Sequence, residues 1–119
     1  MRIINRIVYR LVNMVTVSLE RAHEKLKGVD FSLIDSSNEG EGRSKYQASM
    51  WYYRKAVGSW LSGKITRDDS IIDIGCGKGR MLYFFSKFPF RKIGGLEYSQ
   101  ELADVARKNM QVLRMTGGG

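Results

Sequence analysis

The chain has 119 residues, with 20 lysines and arginines against 12 acidic residues, a net charge of +8, one cysteine and one histidine. One cysteine excludes an internal disulfide framework, and a single histidine leaves no Cys/His metal cluster. The length suffices for one hydrophobic core, and the basic excess attracts phosphates without specifying a site for them.

Residues 2–27 place Ile3, Ile4, Ile7, Val8, Leu11, Val12, Val15 and Leu19 at helical spacing, with Arg2, Arg6 and Arg10 aligned along another side at intervals of four. The pattern predicts one amphipathic helix. Six basic residues against two acidic ones, Glu20 and Glu24, concentrate half of the net charge there. Its longest uncharged stretch, Leu11 to Leu19, is nine residues, well short of the roughly twenty that span a bilayer. Arginines recur inside the apolar pattern and no small-residue cleavage site follows, so the segment does not read as a signal peptide. Three readings remain open: packing on another part of the protein or a partner chain, lying on an anionic membrane surface, or forming an arm over a polyanionic substrate. His23, between Ala22 and Glu24, reads as a solvated or partly packed side chain.

Residues 28–44 turn polar and irregular around Asp35-Ser36-Ser37-Asn38-Glu39-Gly40, which predicts a loop or linker. A second helix is expected over residues 45–61, with Met50, Trp51, Tyr53, Ala56, Val57, Trp60 and Leu61 packed against a sheet. An alternative has Tyr52 or Tyr53 stacking on a base beside Arg54 and Lys55; specific nucleic-acid binding is not the expectation.

After the turn Thr66-Arg67-Asp68-Asp69-Ser70, the run Ile71-Ile72-Asp73-Ile74 predicts a strand, and it feeds three glycines at alternate positions, Gly75, Gly77 and Gly79. Glycine reaches φ > 0 and has no Cβ to hold a ligand off the main chain, so such a turn suits a cofactor lying against the backbone. The following helix carries Met81, Leu82, Phe84, Phe85 and Phe88 and stops before Phe88-Pro89. Lys78 and Arg80 are expected to point to solvent, or to approach the carboxylate of a cofactor. Cys76 reads as a small residue tolerated in a tight turn, since no histidine lies nearby to activate a thiol. A second strand over residues 91–96 delivers Glu97 to its carboxyl end, eighteen residues after Gly79. An acid there is placed to accept hydrogen bonds from a ribose. Ser99 then caps a helix with Leu102, Val105, Ala106, Met110 and Leu113 on one face.

The identity of the nucleoside turns on two positions. The dinucleotide-binding pattern needs a small residue five places after the first glycine, where this chain has Arg80. Asp73, two residues before Gly75, would repel a pyrophosphate but attract an α-ammonium group, directly or through water. A cationic, phosphate-free nucleoside is favoured, and a nicotinamide-dependent oxidoreductase ranks last.

Asp73-Ile74-Gly75-Cys76-Gly77-Lys78-Gly79 resembles the first motif of class I S-adenosylmethionine-dependent methyltransferases, and Gly95-Leu96-Glu97-Tyr98-Ser99 resembles the acidic strand end that follows it. The likeness covers about residues 41–114. It implies an α/β, Rossmann-like methyltransferase fold and S-adenosyl-L-methionine as cofactor. Asp73 would face its methionine end, Gly75, Cys76, Gly77 and Gly79 would form the cradle, and Glu97, with Tyr98 beside it, would hold the ribose. It further implies a segment folding over the cofactor, at which Tyr46 and Ser49 stand, though the proline expected of a close relative is missing. Only the first strand-helix-strand-helix of such a domain is recognisable, so residues 45–114 read as its N-terminal part and residues 115–119 as a flexible tail. The methyl acceptor and any catalytic base fall outside the recognisable motifs. The second reading, of another class, is a catalytically silent binding or membrane-surface module. A cytoplasmic protein, peripheral to a membrane if the first helix binds one, is the expected setting.

Overall fold

The computed structural model describes residues 2–32 and 48–115. In chain order these form α1 (Arg2–Lys27), α2 (Trp51–Leu61), β1 (Ser70–Ile74), α3 (Arg80–Phe85), β2 (Lys92–Leu96) and α4 (Gln100–Val112). The architecture is mixed α/β. β1 and β2 pair in parallel, in the register Ile72↔Gly94, Asp73↔Gly95 and Ile74↔Leu96, and α3 makes the crossover between them.

β-branched Ile71, Ile72 and Ile74 suit a pleated strand, and side chains alternate across it. Ile71 and Asp73 are half-buried on one face, whereas Ile72 and Ile74 are exposed on the other. Ahead of the strand, Asp69 closes the predicted turn: its carboxylate accepts from the Thr66 amide at 2.8 Å, and its carbonyl accepts from Arg91 N–H at 2.8 Å. α3 is short because the chain turns at Ser86 ahead of Pro89, which cannot continue a helix. Phe84, Phe85, Phe88 and Phe90 then form a chain of ring contacts with centroids 5.4–6.3 Å apart. α4 starts as expected, with the Ser99 hydroxyl accepting from Leu102 N–H at 3.4 Å, and it buries Ala106.

Among the described residues, the apolar core consists of Val29, Phe31, Leu61, Leu82, Phe85 and Ala106. α2 departs from its predicted extent and orientation. Residues 45–47 lie outside the described residues, and the chain is still extended at Met50 (ψ 153°). The Ser49 carbonyl is drawn instead to the guanidinium groups of Arg80, at 3.2 Å, and Arg54. Trp51, Arg54, Val57, Gly58 and Leu61 face inward, while Tyr52, Tyr53 and Trp60 are exposed. This rotation lets Phe84 lie against Gly58, where a Cβ would come within 3.0 Å of the ring. Trp60 instead carries the Lys64 ammonium 4.7 Å above its ring.

Gly95 marks the tightest point of the sheet. A Cβ there would meet Cys76 Sγ at 2.7 Å and Leu82 Cδ1 at 3.0 Å. Gly95→Ala is therefore expected to cost about 1–3 kcal/mol in denaturant unfolding, as overpacking does. Adding Cys76→Ala should recover part of it; an equal loss in both backgrounds would exclude this contact as the cause.

α1 has the predicted span, and the face it turns toward the body is its polar one. Glu24 is buried and Asn13, Thr16, Val17 and Glu20 are half-buried, whereas the residues from Ile3 to Leu19 that make the apolar stripe are exposed. Among the described residues, no helix is long and apolar enough to cross a membrane.

Candidate cofactor site

The glycine turn sits where β1 and β2 end side by side. The amides of Gly75 and Cys76 both donate to the Leu96 carbonyl, at 2.8 and 3.0 Å, and Gly79 N–H donates to the Cys76 carbonyl at 3.0 Å. These bonds fold the chain back across the strand ends, with Gly75, Gly77 and Gly79 at φ of 81°, 55° and 93°. L side chains strain at such angles, which accounts for glycine at all three.

The three glycines differ in what they face. At Gly75 a Cβ would meet nothing within 4 Å, so backbone is open to a ligand there. Gly77 is buried. Gly79 turns toward α4, where a Cβ would lie 3.0 Å from the Met110 methyl and 3.6 Å from Ala106.

Glu97, just past β2, ties the site together. One carboxylate oxygen accepts from Gly77 N–H at 2.8 Å and the other from Ser99 N–H at 3.0 Å. Each oxygen retains acceptor capacity, so the residue can brace the turn and still receive hydroxyl donors. Asp73 is in the neighbouring strand. Burial, and then the Glu97 charge, raise its pKa above the ordinary carboxylate value; a cation beside the two carboxylates would oppose that shift. The same causes, burial first and then Asp73 and Glu97, push the Cys76 thiol up. That disfavours a thiolate. Tyr98 is 94% exposed, at the outer edge of the strand end. Of the two residues considered for a covering segment, Tyr46 lies outside the described residues. Ser49 lies on the Arg54 and Arg80 side, its hydroxyl 3.3 Å from Arg54 Nη1.

No family model, curated protein or solved structure matches this chain.

Lys78 and Arg80 correct the expectation that they reach solvent. Lys78 is 3% exposed and Arg80 9% exposed. Lys78 Nζ pairs with Asp30 at 2.8 Å. Arg80 pairs with Glu24 at 2.9 Å and Glu20 at 3.5 Å, and Arg54 also pairs with Glu20. Glu24 in turn accepts from Phe31 N–H at 2.8 Å and the Ser32 hydroxyl at 2.6 Å. Burial, with Arg80 nearby, lowers the Arg54 pKa to about 10, which leaves it protonated at neutral pH. The buried amide of Asn109 completes the network: it donates to the carbonyls of Asp30 and Lys78 at 2.7 and 2.9 Å and accepts from Asp30 N–H at 3.0 Å. A charge buried next to the glycines requires partners, and these come from the end of α1 and the residues after it.

The sequence pattern assigns no site role to Glu24, Asp30 or Asn109. The available signal was the spacing of Glu20 and Glu24, the only acids of α1, which four residues apart share a helix face. A cavity of about 150 Å³ opens beside this network, lined by Glu20, Glu24, Arg54, Arg80, Phe31 and Tyr83 among others. Neither Asp73 nor Glu97 lines it, and its principal charges are paired with each other. The strand ends, with Asp73, Glu97 and the open side of Gly75, are accordingly the better candidate for a cofactor.

Proposed function

We propose that this chain is the cofactor-binding, N-terminal part of a Rossmann-like S-adenosylmethionine-dependent methyltransferase. The observation that carries the reading is the convergence, at the carboxyl ends of two adjacent parallel strands, of Asp73, Glu97 and a glycine turn whose first glycine has open space on its outer side. Ligands of open α/β sheets bind at such strand ends.

The donor set fits the cofactor. Glu97 has acceptor capacity for ribose hydroxyls while its bonds to Gly77 and Ser99 fix its orientation. Asp73 supplies a partly desolvated carboxylate for the α-ammonium, with no phosphate present to repel. Gly75 lets the ligand approach the main chain without meeting a Cβ. When bound, S-adenosyl-L-methionine supplies an electrophilic methyl group on a sulfonium; the contribution of these residues is to orient it toward an acceptor held elsewhere.

Calorimetric titration of the full chain with S-adenosylmethionine, with NAD as contrast, tests the reading. Selective heat with the former is expected. Equal binding of both, or binding of neither by a folded, monodisperse chain, would refute it. Asp73→Asn provides a second arm. Losing a charge-assisted hydrogen bond should weaken S-adenosylmethionine binding roughly tenfold to a hundredfold. The same change should stabilise the ligand-free chain at neutral pH. Because the folded-state pKa of Asp73 is raised, the native chain holds this proton more tightly than the unfolded one. Its contribution to stability therefore falls as pH rises from the unfolded through the folded pKa. Asp73→Asn should lack that decline.

A further inference from the structure

α1 is oriented opposite to an ordinary surface helix. Such helices bury their apolar stripe and present charge to water; α1 binds the body through Glu20 and Glu24 and presents its stripe outward. Ile3, Leu11, Val15 and Leu19 are 72, 52, 54 and 66% exposed. At about 100° per residue the stripe covers roughly half the circumference, and from Ile3 to Leu19 only Ser18 interrupts it. Arg10 and Arg21 lie at one border of the stripe, Arg6 and Arg2 further round toward the azimuths of Glu24 and Glu20, and no acidic residue precedes Glu20.

We propose that α1 docks the protein on an anionic bilayer, lying in the interface with the Ile3-to-Leu19 stripe immersed and the bordering arginines among the headgroups. This goes beyond the methyltransferase reading and does not depend on it. The helix is about 39 Å long at 1.5 Å per residue and has the make-up of an in-plane interfacial helix, with an apolar face and basic residues beside it. The face bound to the body is opposite the face offered to lipid, so both can be occupied together. Charge favours lipid over a second copy of the chain. A second copy would offer the arginines no free acid, because the only helix acids, Glu20 and Glu24, are already engaged by Arg54 and Arg80.

The test is co-sedimentation of the full chain with vesicles of mixed phosphatidylserine and phosphatidylcholine, compared with phosphatidylcholine alone. Binding to the anionic vesicles, weakened by salt, is expected. Leu11→Asp should reduce it roughly tenfold to a hundredfold, the equivalent of losing one buried leucine. Arg10→Gln combined with Arg21→Gln should reduce it about thirtyfold on anionic vesicles and little on neutral ones. All three side chains are exposed, so circular dichroism and the unfolding midpoint should stay at wild-type values; if Leu11→Asp alone perturbs them, the double arginine variant decides. Failure of the folded wild type to sediment, or sedimentation indifferent to both variants, would overturn the proposal. A concentration-dependent dimer lost in Leu11→Asp, without vesicle binding, would assign the stripe to a second copy instead.

Discussion

Replacing Arg80 by alanine is expected to lower the unfolding free energy by about 3–5 kcal/mol, the cost of breaking a buried ion pair from one side. The guanidinium reaches Glu24 at 2.9 Å, Glu20 at 3.5 Å and the Ser49 carbonyl at 3.2 Å, and it stands 5.9 Å from the centre of the Phe31 ring. Its removal leaves Glu24, itself buried, without its cationic partner. A domain of this size has a total stability of the order of 5–15 kcal/mol, so urea unfolding of the variant should begin at much lower denaturant. Glu24→Gln should cost less, because a side-chain oxygen remains to accept from Phe31 N–H. A loss below about 1 kcal/mol for Arg80→Ala, the magnitude of an exposed pair, would show that water reaches the cluster and screens it.

Glu97→Ala should reduce S-adenosylmethionine affinity a hundredfold or more, on the order of two hydrogen bonds to a charged group. The effect has two sources. A bound ribose would lose its acceptors, and the amides of Gly77 and Ser99 lose the carboxylate that positions them. Glu97→Gln separates the two, since it keeps one oxygen for an amide and should fall between wild type and Glu97→Ala. Unchanged affinity in Glu97→Ala would remove the ribose role from this residue.

Local pattern was enough to place α1, both strands, the glycine turn and the Ser99 cap, because each depends on neighbours within a few positions. The rotation of α2 was not legible: Trp51 faces inward as expected, but Gly58 and Arg54 take inward positions while Tyr53 and Trp60 are exposed, and Gly58 meets Phe84 of another helix. Buried charge was harder still. Arg80 and Glu24 are 56 residues apart, and Asn109 meets Asp30 across 79. Periodicity distinguishes polar from apolar but does not identify the partner of a charge, so Lys78 and Arg80 looked like solvent-facing residues at a helix start. At the candidate site the strand-end position of Glu97 followed from spacing. Its bracing of Gly77 did not, because a carboxylate's bond to a backbone amide twenty residues away has no local sequence signature.

The residues on either side of Gly79 are both hooked to the same short stretch of chain: Lys78 to Asp30 and, through Asn109, to its backbone, and Arg80 to Glu24. The turn that would receive a ligand and the root of the outward-facing helix thus share their fastenings. If a ligand at one end tightened these fastenings, linkage would require occupancy of the other end to strengthen its binding by the same factor. A chain that grips a nucleoside more firmly when its helix is seated, and seats its helix more firmly when the nucleoside is held, would need no further machinery than this clasp.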